Sequence, residues 1–363
     1  MSWRKNRVRY FALAILGAWL AAFGFLKHST AAMNWLADNL TTPYKRTVGT
    51  LCDALPFSMA EILWLLFLFG CAAYIAHAVY CVVRAKGSRP ACVGRQLLGV
   101  GVIALALYGG FTLLWGVNYY TDSAVQRMGV SAQPVSVQEL TQVTQLFADK
   151  LNATAGAVPR DQDGVCSTPR EVIFADGRDI YTPLEESYPF LAGPHIAPKP
   201  MLFSHFMSEI NYTGFFFPFT GEANLNAQQP LCLLPATIAH ELAHVRGVAP
   251  EQDCNFLAVL ACEKSGNAAY AYSGWLLGYI HLSNALYTAD YAAWQAVYAS
   301  LCADAKADLL ENSAFWAQYK SAAATAANTV YEGFLQSYDQ TDGLKSYGRV
   351  TDLLVAWYGT NLK

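Results

Sequence analysis

Three stretches almost empty of charge, residues 10–26, 60–83 and 97–117, dominate the first third of the chain. Each is close to the ~20 residues that an α-helix needs to cross the hydrocarbon of a bilayer, and Glu61, at the edge of the second, is the one Asp, Glu, Lys or Arg among them. The pattern predicts three transmembrane helices. A basic cluster, Arg4, Lys5, Arg7 and Arg9, precedes the first, but no small-x-small cleavage site comes before the polar loop after it, so the segment reads as a retained anchor rather than a signal peptide.

Beyond residue 118 the periodicity changes. Val137, Leu140, Val143, Leu146, Phe147 and Leu151 recur at helical spacing and predict an amphipathic helix over residues 136–151. Residues 152–200 are rich in Gly, Pro, Asp and Ala and read as surface connections, with one short strand at 172–174. The run from 212 to 220, with Phe215, Phe216 and Phe217 at its centre, is β-prone. Pro218 cannot donate to a central ladder, so this run is expected to be an edge strand, with core packing or a lipid-facing surface as equal alternatives for its aromatics. Helices are predicted over 249–262, 270–286 and 291–307. Residues 268–280 are apolar but too short and too rich in tyrosine for a fourth span. The tail from Gly343 to Leu354 mixes polar and apolar residues in a way that suggests it is pinned to the body.

Composition sharpens this picture. At 54% hydrophobic and 14% charged over 363 residues, with a mean hydropathy of +0.22, the chain is too apolar for an ordinary soluble enzyme, and the bilayer is its first partner. Arg84, Lys86, Arg89 and Arg95 crowd the second connection, whereas the first has Lys45 and Arg46 against Asp38 and Asp53. The basic flanks predict a cytoplasmic N-terminus, a membrane domain over 1–118 and a single extracytoplasmic domain over 119–363. The net charge of −3 and the lack of a basic stripe argue against nucleic acid. Nine cysteines show no metal-type Cys-x-x-Cys pair, and Cys254 and Cys262, ~12 Å apart along one helix, cannot bridge each other.

The chemistry is concentrated in His240-Glu241-Leu242-Ala243-His244. Four residues are just over one helical turn, so His240 and His244 project from one face and can hold one metal ion, with Glu241 beside them as a general base. Zinc lowers the pKa of a coordinated water to roughly 7. Pro235 suits the first turn of such a helix and Gly247 a left-handed cap at its end. Glu251 falls in the first turn of the next helix, from which its carboxylate can swing back as third ligand, and Asn255, one turn on, can orient a ligand from behind. Tyr347, Arg349, Tyr272 and His281 are candidates for the donor that stabilises an oxyanion opposite the zinc, although a structural role is the more common one for any of them singly.

Lys199-Pro200, the run Pro218 to Asn224, the His-Glu-x-x-His helix with Arg246-Gly247, the run Glu251 to Phe256, Tyr272-Ser-Gly274 and Ser346 to Val350 together resemble the bacterial membrane family called domain of unknown function 3810. The resemblance extends over nearly the whole chain. It implies a mainly α protein with three N-terminal membrane helices and a zincin-like α+β extracytoplasmic domain holding a small edge-strand sheet, acting as a zinc metallopeptidase of unestablished substrate. The spacing after the motif helix is also similar to that of CaaX-processing and HtpX-like membrane peptidases, which favours Glu251 over Asp253 as ligand; Cys254 departs from the small alanine usual there. The expected function is hydrolysis of an extracytoplasmic protein or peptide with one Zn2+. The alternative is a non-catalytic zinc-binding envelope scaffold or sensor, and neither reading specifies an oligomeric state.

Overall fold

The computed structural model describes residues 3–85, 87–340 and 347–360. Three helices, Trp3–Leu26, Met59–Val83 and Arg89–Leu114, carry the apolar stretches and are long and apolar enough to cross a membrane. Their exposed faces are lined with Val, Leu, Ile and Phe, which suits lipid rather than water. The third helix stops at Leu114, short of the apolar stretch in sequence. Trp115 leaves helical geometry, and at Gly116 a Cβ would stand 2.5 Å from the Tyr338 ring, so glycine is what lets that ring close against the end of the span.

The connection between the first two spans is folded onto the rest of the molecule. It forms helices Thr30–Leu36 and Thr42–Asp53 around a π-helical turn. The Asp53 carboxylate accepts hydrogen bonds from Arg178 at 2.8 Å and from the Ala197 N–H at 2.8 Å. The second span is fastened at its first turn. Ser58 caps it, and the Glu222 carboxylate accepts the N–H groups of Met59 and Ala60, both at 3.0 Å. Four N–H groups at a helix start have no partner within the helix, and in a membrane protein each must be satisfied from outside it.

The amphipathic helix forms as its pattern predicts, over Val137–Ala155, started by a Ser136–Glu139 capping box and burying Leu140, Val143, Phe147 and Leu151. It packs against helix Ala268–Ala289, which buries Tyr270, Tyr272, Trp275, Leu276, Tyr279 and Leu282 in the domain. Gly278 is the point of closest approach, since a Cβ there would fall 2.1 Å from the Phe147 ring. Each large apolar side chain buried along this seam contributes roughly 1.5–3 kcal/mol relative to exposure. Helix Tyr347–Gly359 closes the core with Val350, Leu353, Leu354 and Tyr358, so the tail is pinned as expected from residue 347 on, while its residues 343–346 lie outside the described residues.

Two expectations are corrected. Residues 172–174 are not a strand but lie inside helix Arg170–Asp176, started after Pro169 with Glu171 in its first turn; Ile173 is buried and its carbonyl accepts the Tyr270 hydroxyl. The predicted helix over 291–307 is two, Tyr291–Ser300 and Ala303–Ala317. The break is tertiary in origin, because the Asn152 side chain donates to the Ser300 carbonyl at 2.9 Å and accepts the Cys302 N–H at 2.7 Å.

The sheet has three short strands, β1 (Lys199–Pro200), β2 (Gly214–Phe217) and β3 (Glu222–Leu225), in the order β1-β3-β2. Strand β2 is therefore an edge strand, as Pro218 predicted. Its register sets Phe215 opposite Asn224 and Phe217 opposite Glu222. The Asn226 N–H donates to the Thr213 carbonyl, while the Leu225 carbonyl turns to the other side and accepts from Met201. In an antiparallel ladder alternate residues face the partner strand, so Gly214 and Phe216 turn their backbone groups to the open edge.

Candidate metal centre

Helix Leu234–Val245 presents the motif. Pro235 sits in its first turn, and the Ala236 N–H donates to the Ser273 hydroxyl at 3.0 Å. At the other end Gly247 adopts φ 92°, and the Val248 N–H returns to the Ala243 carbonyl at 3.2 Å, so the left-handed cap stops the helix where the sequence placed it. Helix Glu251–Lys264 comes next, with Pro250 at its N-cap.

The two rings lie 4.9 Å apart, nearly perpendicular. His240 Nδ1 bonds Asn255 Oδ1 at 2.9 Å and His244 Nδ1 bonds the Val248 carbonyl at 2.7 Å. A carbonyl oxygen can only accept, so His244 carries its proton on Nδ1 and its Nε2 lone pair is free. Both Nε2 atoms face Glu251, at 3.1 Å from Oε2 for His240 and 3.7 Å from Oε1 for His244. The Tyr331 hydroxyl donates to Glu251 Oε1 at 2.6 Å. His240, His244 and Cys254 also bring ligand atoms within 4.8 Å of one another and could hold a metal ion. Cys254 Sγ, however, lies against His244 Nδ1 and the Val248 carbonyl, both at 3.3 Å, on the side of the ring whose nitrogen is already engaged. Glu251 therefore fits the free lone pairs better than Cys254. Burial also raises the Cys254 thiol well above its ordinary pKa, against the thiolate that a metal would need.

Electrostatics matches this geometry. Burial alone would lower the His240 pKa, but the Glu251 carboxylate outweighs it and the imidazole is raised. Glu251 is held low by the two histidines despite its own burial. His244, where burial dominates, falls to about 4. The cluster thus favours a cation between the imidazoles and the carboxylate. Glu241 is pushed by burial to about 8, and its Oε2 has no hydrogen-bond partner. Its carboxylate rests on the backbone of β2, since a Cβ at Gly214 would stand 2.8 Å from both Cγ and Oε1.

These groups lie in a cleft of about 1300 Å³. Phe215 and Phe216 line it together with His281, another candidate oxyanion donor, which burial holds at about 4. Phe217 instead packs against Trp64, ring centroids 6.3 Å apart. Tyr272 is not brought to the cleft; its hydroxyl donates to Asp308 in a buried cluster with Arg160. The Tyr347 side chain lies outside the described residues. Arg349 acts on Asp253, whose carboxyl burial raises to about 6 against the opposing hydrogen bonds of Val125, Ala124 and Ser123 and the smaller pull of the Arg349 charge.

Residues 39–355 match a known family. The chain belongs to the family described as protein of unknown function (DUF3810). The match takes in the second and third membrane helices, the sheet, the motif helix and the Glu251 helix. No curated protein and no solved structure matches the chain. In this DUF3810 protein the contribution that the sequence concealed is Tyr331, on helix Ala322–Ser337, 80 residues from the carboxylate it holds. No local pattern marks it, and only its helical placement among other aromatics hints that the segment is ordered. A second such contribution is Lys45, buried without a hydrogen-bond partner 5.3 Å from the Trp115 ring, the same ring that stands edge-on to His244 at 5.4 Å.

Proposed function

We propose that this DUF3810 protein is a membrane-anchored zinc peptidase that hydrolyses peptide bonds of an extracytoplasmic protein or peptide. The observation that carries the reading is Glu241, a buried carboxylate with an unpartnered oxygen beside the two imidazoles. A purely structural metal site has no use for such a group, because an orphaned polar atom costs about 1–3 kcal/mol. A general base needs it, because the unpartnered oxygen beside the imidazoles is the lone pair that would take a proton from water held there.

His240, His244 and Glu251 are the residues that would hold the zinc. When bound, the ion supplies Lewis acidity, making water more acidic and polarising a carbonyl. Asn255 and Tyr331 orient His240 and Glu251 from behind. The open edge of β2 offers the Gly214 and Phe216 backbone groups to an extended chain, so a peptide would be held by its main chain directly beside Glu241.

The test joins metal analysis to turnover. Glu241→Gln keeps the zinc content of the wild type while hydrolysis of a peptide library falls by ~10²–10⁴-fold. Zinc-loaded wild type that cleaves nothing, together with a Glu241→Gln protein that keeps every cellular phenotype while His240→Ala abolishes it, would replace the enzyme by a zinc-dependent scaffold.

A further inference from the structure

Resting on the peptidase reading, we propose that the substrate is a membrane-inserted polypeptide. Its apolar segment enters the cleft sideways from the bilayer along the second span, and its adjoining extended stretch pairs with the open edge of β2.

The wall of the cleft carries this. Trp64, Leu65 and Leu68 occupy one face of the second span and line the same cleft as His240 and Glu241. They remain 48%, 47% and 58% exposed. Leu68 lies nine residues beyond Met59, where the helix begins, which places it ~13 Å along the axis. Glu61 is the last charged residue before Arg84, so Leu68 lies well inside the stretch that is long and apolar enough to cross hydrocarbon. The face of the span that meets lipid therefore continues without interruption into the cleft.

The opposing lip is built the same way. Phe203 and Phe206 line the cleft and are 46% and 61% exposed, and neighbouring Leu202 is 86% exposed. The Phe203 N–H donates to Glu61 at 2.9 Å, which ties this lip to the first turn of the second span. Apolar surface on both lips would cost about 25 cal/mol for each Å² wetted, whereas against lipid it costs nothing. Such a cleft is suited to a bilayer-borne occupant. Its volume, about 1300 Å³, exceeds the roughly 300–1,000 Å³ usual for small-molecule pockets.

The other end of the cleft decides what kind of occupant this is. Strand β2 turns the Gly214 and Phe216 backbone groups to its open edge, and no strand pairs there among the described residues. A polypeptide backbone satisfies such groups. An acyl chain has neither donor nor acceptor to offer, so lipid alone leaves the edge beside Glu241 unmatched.

The experiment uses the full chain, zinc-loaded, in phosphatidylcholine vesicles. A randomised peptide library is supplied in two forms, one joined to a membrane-spanning Leu/Ala helix and one free in solution, and products are followed by mass spectrometry. The anchored form should be cleaved about tenfold faster or more, because anchoring raises its effective concentration at the cleft. Leu65→Asn with Leu68→Asn should erase the difference. Equal rates for the two forms in the wild type overturn the membrane-borne substrate and leave the peptidase standing. No product from either form, with zinc bound, overturns the peptidase reading and the substrate class with it. In a binding experiment independent of turnover, Glu241→Gln protein with a photoreactive phenylalanine analogue at position 68 should crosslink to the anchored peptide. Crosslinking to phospholipid alone, with the anchored peptide present, overturns the polypeptide occupant.

Discussion

Cys254 and Glu251 stand on opposite sides of the His244 ring, and the metal can use only one side. The Val248 carbonyl engages Nδ1, which leaves Nε2 and the Glu251 carboxylate facing each other. Cys254→Ala should therefore leave metal stoichiometry intact, while Glu251→Gln, which removes a ligand charge, should weaken affinity by more than the ~10–100-fold typical of groups that only orient a ligand; metal content by mass spectrometry reads the first and competition with a zinc chelator the second. Loss of metal from Cys254→Ala alone would assign the site to His240, His244 and the thiol. Lys45 is a second residue with a consequence of its own. Burial lowers its pKa to about 7, below its unfolded value, so the neutral amine is favoured in the fold and the charged one is not. That contribution to stability is full above the unfolded pKa and is lost as pH falls through 7. Lys45→Met should accordingly raise the melting temperature by a few degrees, on the order of 1–2 kcal/mol, and by more at pH 6 than at pH 9. An equal gain at both values would mean that the amine keeps its charge, held by the Trp115 and Phe216 rings at 5.3 and 5.9 Å.

Among elements, β2 and the motif helix meet at one point where only glycine fits. A Cβ at Gly214 would collide with Glu241, so Gly214→Val should displace the carboxylate and lower turnover at least ~10-fold while zinc content is unchanged. A variant with wild-type kcat would remove Glu241 from its proposed position against the strand. How far each element could be read depended on its length and its partners. The motif helix and the amphipathic helix repeat their signal over several turns. Strand β1 has two residues and β3 four, too few for an alternation to emerge. Val172 and Ile173 look like a strand by type but lie in a helix, because Pro169 stands at a helix start and Ile173 packs inward. The break between Ser300 and Ala303 was invisible, since Asn152 imposes it from elsewhere in the chain.

For the molecule as a whole, the basic flanks of the spans predict that the domain bearing the cleft lies outside the cytoplasm. A cysteine placed at exposed Lys150, in a background without other accessible thiols, should react with a membrane-impermeant reagent in intact cells. Reaction only after lysis would place the domain inside. The sequence by itself determined the three membrane helices, because hydropathy summed over ~20 residues is a local property. It determined the paired imidazoles for the same reason, since four residues on a helix always return to one face. Tertiary structure alone decided what surrounds them. Tyr331 reaches Glu251, Gly214 yields to Glu241, and the second span lends Trp64, Leu65 and Leu68 to the wall of the cleft. Each of these contacts joins residues far apart in the chain and depends on how the elements cross, which no short-range pattern of side chains encodes.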